Sequence, residues 1–71
     1  MNRNEIAGQW KQLKGRAREK WGELTDDDLD KIDGRRERLV GVLQERYGKT
    51  EQEASKEADD FFDSLEKAST S

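Results

Sequence analysis

Apolar side chains recur along this chain at steps of three and four, and charged or polar residues fill nearly everything between them. Ile6, Trp10, Leu13, Ala17 and Trp21 follow at intervals of four, three, four and four, which lays them on one face at 3.6 residues per turn. The spacing predicts a first helix over Asn4–Trp21, capped by Asn2 or Asn4. Gly22 is expected in the left-handed position past its end, with Leu24 re-entering the core. Thr25-Asp26-Asp27-Asp28 then reads as a helix start. Thr25 is the N-cap, the acidic first turn suits the positive helix end, and Asp28 holds the capping-box position. Leu24 and Leu29 stand as a hydrophobic staple. This second helix brings Leu29 and Ile32 to the core and yields at Gly34, although the pattern also allows one helix unbroken to Tyr47.

A third helix is expected over Arg35–Tyr47, with Leu39, Leu43 and Tyr47 as its stripe, Val40 and Val42 widening it, and Gly48 as its stop. Thr50 caps a fourth, with Glu53 at the capping-box position. Its apolar face is Ala54, Ala58, Phe61, Phe62 and Leu65. Residues 68–71 read as a flexible polar tail, so the domain is expected to span residues 1–67.

The third helix echoes the first. Shifted by 26 residues, Ile6, Gly8, Leu13, Gly15, Glu19 and Gly22 fall on Ile32, Gly34, Leu39, Gly41, Glu45 and Gly48, and Trp21 falls on Tyr47. Trp10 falls on Arg36, the one mismatch in the stripe. The unit repeated is a long helix, a glycine and a threonine-capped helix. Short connections make antiparallel neighbours. The expected fold is therefore all-α: a small four-helix bundle of two packed helical hairpins, built by internal duplication. No alternating runs or proline-glycine turns suggest strands.

Composition narrows what such a bundle can do. The chain has 71 residues, 44% of them charged, net charge −3, and neither cysteine nor histidine. One thin-cored domain is all this length supports, with no disulfide or zinc to staple it. No apolar run is long enough for a signal peptide or a membrane span, so a cytoplasmic location is expected. Charge alternates by helix. Residues 3–20 hold six bases and two acids, and 23–33 six acids and one base; 35–49 hold five bases and two acids, and 51–67 seven acids and two bases. Basic helices are expected to lie beside acidic ones, which sets pairing and suppresses wrong partners.

Candidate chemistry is sparse. Asp26-Asp27-Asp28 and Asp59-Asp60 with Asp63 lack the twelve-residue loop and central glycine of a calcium site and read as helix-start acids and a solvated face. Without histidine or cysteine the usual nucleophile–base pairings are missing, and the six glycines are dispersed rather than gathered in a phosphate loop. The chain reads as a non-enzyme with no metal and no cofactor. The candidate partner surface is basic: Lys11, Lys14 and Arg18 on the first helix, and Arg35, Arg38 and Arg46 on the third. These residues could touch nucleic-acid phosphates, but charge balance with the acidic helices is the preferred reading. The aromatic residues read as core rather than as an adhesive patch, with Trp10 the one to watch. Gly8, Gly15, Gly34 and Gly41 lie opposite the apolar stripes, at a cost of roughly 1 kcal/mol each inside a helix. They imply either close backbone approach on that face or deliberately soft helices.

The motifs W-K-x-x-K-G at Trp10–Gly15, W-G-x-L-T-D-D-D at Trp21–Asp28, Gly34-Arg35, and L-V-G-x-x-Q-E-R-Y-G at Leu39–Gly48 together resemble the CsbD-like family of small bacterial stress proteins. The likeness covers roughly Asn4–Ala58, and the last helix departs most from it. The resemblance implies a helical bundle of two hairpins, cytoplasmic, induced in general stress responses, with no active residues to carry over. The function expected is a non-enzymatic stress-response protein, acting as a hydrophilic protectant or a helical interaction module. A nucleic-acid-associated module on the basic faces is the alternative. Membrane-surface binding through the tryptophan-bearing first helix ranks below both. No partner's identity follows from the sequence, a protein partner remains open, and the chain is expected to be a monomer.

Overall fold

In a computed structural model that describes residues 2–68, the chain forms five helices: α1 (Arg3–Gly8), α2 (Trp10–Lys20), α3 (Asp26–Ile32), α4 (Arg36–Tyr47) and α5 (Glu51–Ala68). The described residues contain no strand, and the protein is all-α. The tail expected from residue 68 lies outside the described residues from 69 onward, and Ala68 is the last residue of α5.

Four helices were expected and five are present, because the first breaks at Gln9. Asn2 caps α1 by accepting the Glu5 N–H at 2.8 Å. Gln9 then takes φ −109° and ψ 16° and leaves helical geometry. The break follows Gly8, the weakest ordinary helix former and a common site of kinks. It frees α1 to pack against α5, away from the course of α2.

The second boundary also differs from expectation. Gly22 does not adopt positive φ. Instead Trp21 leaves the helix at φ −126°, ψ 83°, and the Leu24 N–H donates to its carbonyl at 3.2 Å. Burying the indole ends α2 where a left-handed glycine was anticipated. The capping box at Thr25 forms as read: Thr25 N–H donates to Asp28 and Asp28 N–H to Thr25 Oγ1, each at 3.1 Å. Thr50 and Glu53 repeat the arrangement at the start of α5.

Between α3 and α4 the helix does yield. Asp33 (φ 50°) and Gly34 (φ 73°) both turn left-handed. Gly34 has a second constraint, since a Cβ there would lie 2.6 Å from the Ala7 Cα. The α3–α4 turn therefore presses its backbone directly onto α1. Gly48, at φ 64°, stops α4 as anticipated.

The apolar stripes close into one core of Ile6, Trp10, Ala17, Trp21, Leu24, Leu29, Ile32, Leu39, Leu43 and the α5 face from Ala54 to Leu65. Phe61 sits at its aromatic centre, edge-on to Trp21 with centroids 4.9 Å apart and edge-on to Trp10 at 6.5 Å. Trp10, the doubtful member, is buried, and its indole N–H donates to the Leu29 carbonyl at 2.6 Å. The radius of gyration is 11.2 Å, against about 11 Å for a folded domain of this length.

Candidate functional site

Among the described residues no large hydrophobic side chain is exposed, so the site is sought where each cation finds a carboxylate. On α2, Lys14 and Arg18 stand one turn apart, and on α3 so do Asp26 and Asp30. They pair in antiparallel order, Lys14 Nζ 2.5 Å from Asp30 and Arg18 Nη1 2.6 Å from Asp26. Asp28 points about 160–200° around α3 from those two, at 100° per residue. Arg46 of α4 meets it there with two bonds, Nε at 2.8 Å and Nη2 at 3.0 Å. One seven-residue acidic helix thus takes cations from the helices on both sides.

Helix α5 does the same for the rest of the fold. Arg36 closes on Asp59 with two hydrogen bonds. Arg3 reaches Glu66 at 3.0 Å and Asp63 at 3.8 Å. Glu57 accepts Lys49 Nζ at 2.7 Å and the Trp21 indole N–H at 3.2 Å.

Of the six residues singled out as a basic surface, Lys14, Arg18 and Arg46 are therefore drawn onto α3. Arg38 Nη1 donates to the Lys31 carbonyl in the last turn of the same helix, at 3.3 Å. Lys11 and Arg35 are exposed, with no ion pair among the described residues. Arg35 lines a cleft of about 250 Å³ between α1 and the start of α4. The aromatic rings offer no adhesive patch, because no large hydrophobic side chain among the described residues is exposed. Nor do the described residues hold a group of three or more acids placed for a metal ion.

These pairings set the ionisation of the carboxylates. Arg46's hydrogen bonds hold the Asp28 carboxyl below the usual range, against the opposing effect of burial, and the Thr25 cap adds to the lowering. Arg36 lowers Asp59. Lys49 lowers Glu57, helped by the Trp21 indole, and is itself raised. The Thr50 backbone N–H lowers Glu53.

Sequence reasoning missed Asp28 as a buried charge, with a side chain 4% exposed, and Glu57 as a shared acceptor. A capping residue is ordinarily solvated, and nothing local reveals that Arg46 arrives from 18 positions away. The α2–α3 ladder did leave a signal: two cations and two acids, each four apart on facing helices.

The CsbD-like family profile matches residues 4–56. The chain is 56% identical over 63 residues to a UPF0337 protein of Bordetella pertussis, covering 89% of this chain and 96% of that relative. It is 55% identical over 65 residues to a UPF0337 protein of Pseudomonas aeruginosa, covering 92% and 100%. It is 52% identical over 61 residues to the UPF0337 protein YjbJ of Escherichia coli K12, covering 86% and 88%. No solved structure matches the chain. With most of its length inside the family profile and relatives more than half identical along nearly their whole length, the chain belongs to the CsbD-like family.

Proposed function

We propose that this protein is a non-enzymatic stress-response protein that works as a folded hydrophilic protectant in the cytoplasm, as a monomer. One observation carries the reading: among the described residues no large hydrophobic side chain is exposed, while 44% of the chain is charged. Such a surface stays hydrated and soluble when other proteins aggregate. The cation–carboxylate pairs of α2, α3, α4 and α5 support it further, because they set opposite charges side by side on the surface. The resemblance to CsbD-like stress proteins supplies the physiological setting. A helical interaction module would need an unsatisfied face, and the pairing across α3 and α5 speaks for the protectant instead.

The test is direct. An unrelated enzyme is dried or heated with this protein at comparable mass, and its residual activity is measured. Protection above an equal mass of a neutral protein supports the proposal. Absence of protection, together with capture of one specific partner from stressed lysate, overturns it in favour of the interaction module.

A second reading, nucleic-acid association through the basic faces, draws its support from Lys11 and Arg35, which have no ion pair among the described residues. Retention of DNA or RNA on a filter at low salt, lost in the Lys11→Glu/Arg35→Glu variant, would favour it.

We also propose that the fold derives from a duplicated helical hairpin, α2–α3 corresponding to α4–α5. The 26-residue register of Trp21 and Tyr47 supports this, as do the like Thr25–Asp28 and Thr50–Glu53 boxes, which stand 25 residues apart, one short of that register.

A further inference from the structure

We propose that α1 is a separable strap, released about Gln9 while α2–α5 stay packed, with Arg3 as its salt-sensitive clasp. Backbone hydrogen bonds at Gln9 fall to either side of it. Its N–H donates back to Glu5 at 2.9 Å, and its carbonyl accepts forward from Gln12 at 2.9 Å and Leu13 at 3.2 Å. No side chain caps the start of α2. Rotation at that one residue therefore separates α1 from α2 without breaking either bond set.

What holds α1 down is compact and identifiable. Ile6 is fully buried, and the backbone at Ala7 rests on Gly34. Arg3 binds Glu66 and Asp63 of α5 and lies over the Phe62 ring, 5.1 Å from its centroid. The Arg3, Asp63 and Glu66 side chains are 44%, 55% and 34% exposed, so dissolved ions reach this clasp and screen it. On its other flank α1 faces an open cleft bordered by Arg35, Arg36 and Glu37. Glu37 borders that cleft, but among the described residues the ion pairs of Arg3 are with Asp63 and Glu66 of α5. Rising ionic strength should therefore loosen α1 ahead of the rest. This inference is independent of the protectant reading, since the strap opens or stays shut whatever the protein shields.

Amide hydrogen exchange on the full chain, followed by NMR, tests it. The amides of Glu5, Ile6 and Gln9 should exchange at one common rate, about tenfold or more faster than those of Leu39 to Leu43. Protection should step up at Leu13. Raising NaCl from about 0.02 M to about 0.5 M should speed the α1 amides roughly threefold and leave α4 unchanged. Arg3→Gln, a surface change, should show the high-salt rates at low salt and respond little further. Exchange of α1 at the α4 rate would overturn the strap. So would a graded loss of protection from Gln9 outward to Glu5, which is simple end-fraying. A wild-type α1 indifferent to salt, or a salt response that survives in Arg3→Gln, would overturn the clasp.

Discussion

Asp28 and Arg46 meet across the α3–α4 seam, the guanidinium gripping with two nitrogens, at 2.8 and 3.0 Å, a carboxylate whose side chain is 4% exposed. The same carboxylate closes the capping box on the Thr25 N–H, so one residue both starts α3 and fixes α4 against it. Asp28→Ala is expected to cost about 1–2 kcal/mol, the worth of a cap with its buried hydrogen bonds. Arg46→Met strands the charge and should lower the urea midpoint as well. Because the two act on one contact, the Asp28→Asn/Arg46→Met double variant should lose less than the sum of its single changes. Strict additivity in urea titrations would show that the contact contributes nothing.

The glycines should behave oppositely according to what surrounds them. A methyl group added at Gly15 or Gly41 would meet nothing within 4 Å, so Gly15→Ala and Gly41→Ala should each stabilise by roughly 0.5–1 kcal/mol. In a domain of this size that raises Tm by about 4–8 °C per kcal/mol. Gly34 has positive φ and the Ala7 backbone against it. Gly34→Ala should therefore destabilise by about 2–4 kcal/mol, from left-handed strain and overlap together. Thermal melts of the three variants decide the matter, and a common sign for all three would contradict it.

Trp10 joins the core to a helix backbone through its indole N–H on the Leu29 carbonyl. Trp10→Phe keeps a ring but removes that donor and some volume, and should cost about 1–3 kcal/mol. Trp21 remains as the fluorescent reporter of unfolding. An unchanged urea midpoint would mean that the hydrogen bond does not form in solution.

Acid should unfold the protein in a defined direction. Asp28, Glu53, Glu57 and Asp59 all have carboxyls lowered in the folded state. In the window between folded and unfolded pKa the unfolded chain binds more protons, so stability rises with pH there. The stabilisation is full above the unfolded carboxylate values, near pH 4–4.5, and is lost as pH falls through the lower folded values. Lys49, raised by Glu57, acts at the other end: its contribution is full below about pH 10.4 and fades as pH rises through its folded value. Far-UV circular dichroism against pH should show a plateau at neutrality and a fall below pH 4, shallower in Asp28→Asn.

Local signals in the sequence were enough to find the helices, because capping boxes and apolar spacing act within one or two turns. Thr25 with Asp28, Thr50 with Glu53, Gly48 and the buried stripes were all legible this way. The break at Gln9 was not, since Ile6 and Trp10 keep helical spacing across it and only the docking of α1 on α5 shows the change of course. Gly22 misled because Trp21, pulled into the core by Phe61 and Glu57, ends the helix first. The alternation of basic and acidic helices was readable, but the partners of Arg3, Arg36 and Arg46 depend on tertiary distance alone.

The decisive measurement concerns whether the folded surface, rather than composition, protects. An enzyme dried with the native chain is compared with the same enzyme dried with Trp10→Ala/Phe62→Ala at equal mass. Those two truncations together remove about 6–10 kcal/mol, comparable to the whole stability of about 4–10 kcal/mol for a domain of this length, and circular dichroism verifies the unfolding. The expected result is high residual activity with the native chain and clearly lower activity with the unfolded one. Equal protection by both, or none by either, would contradict a folded protectant.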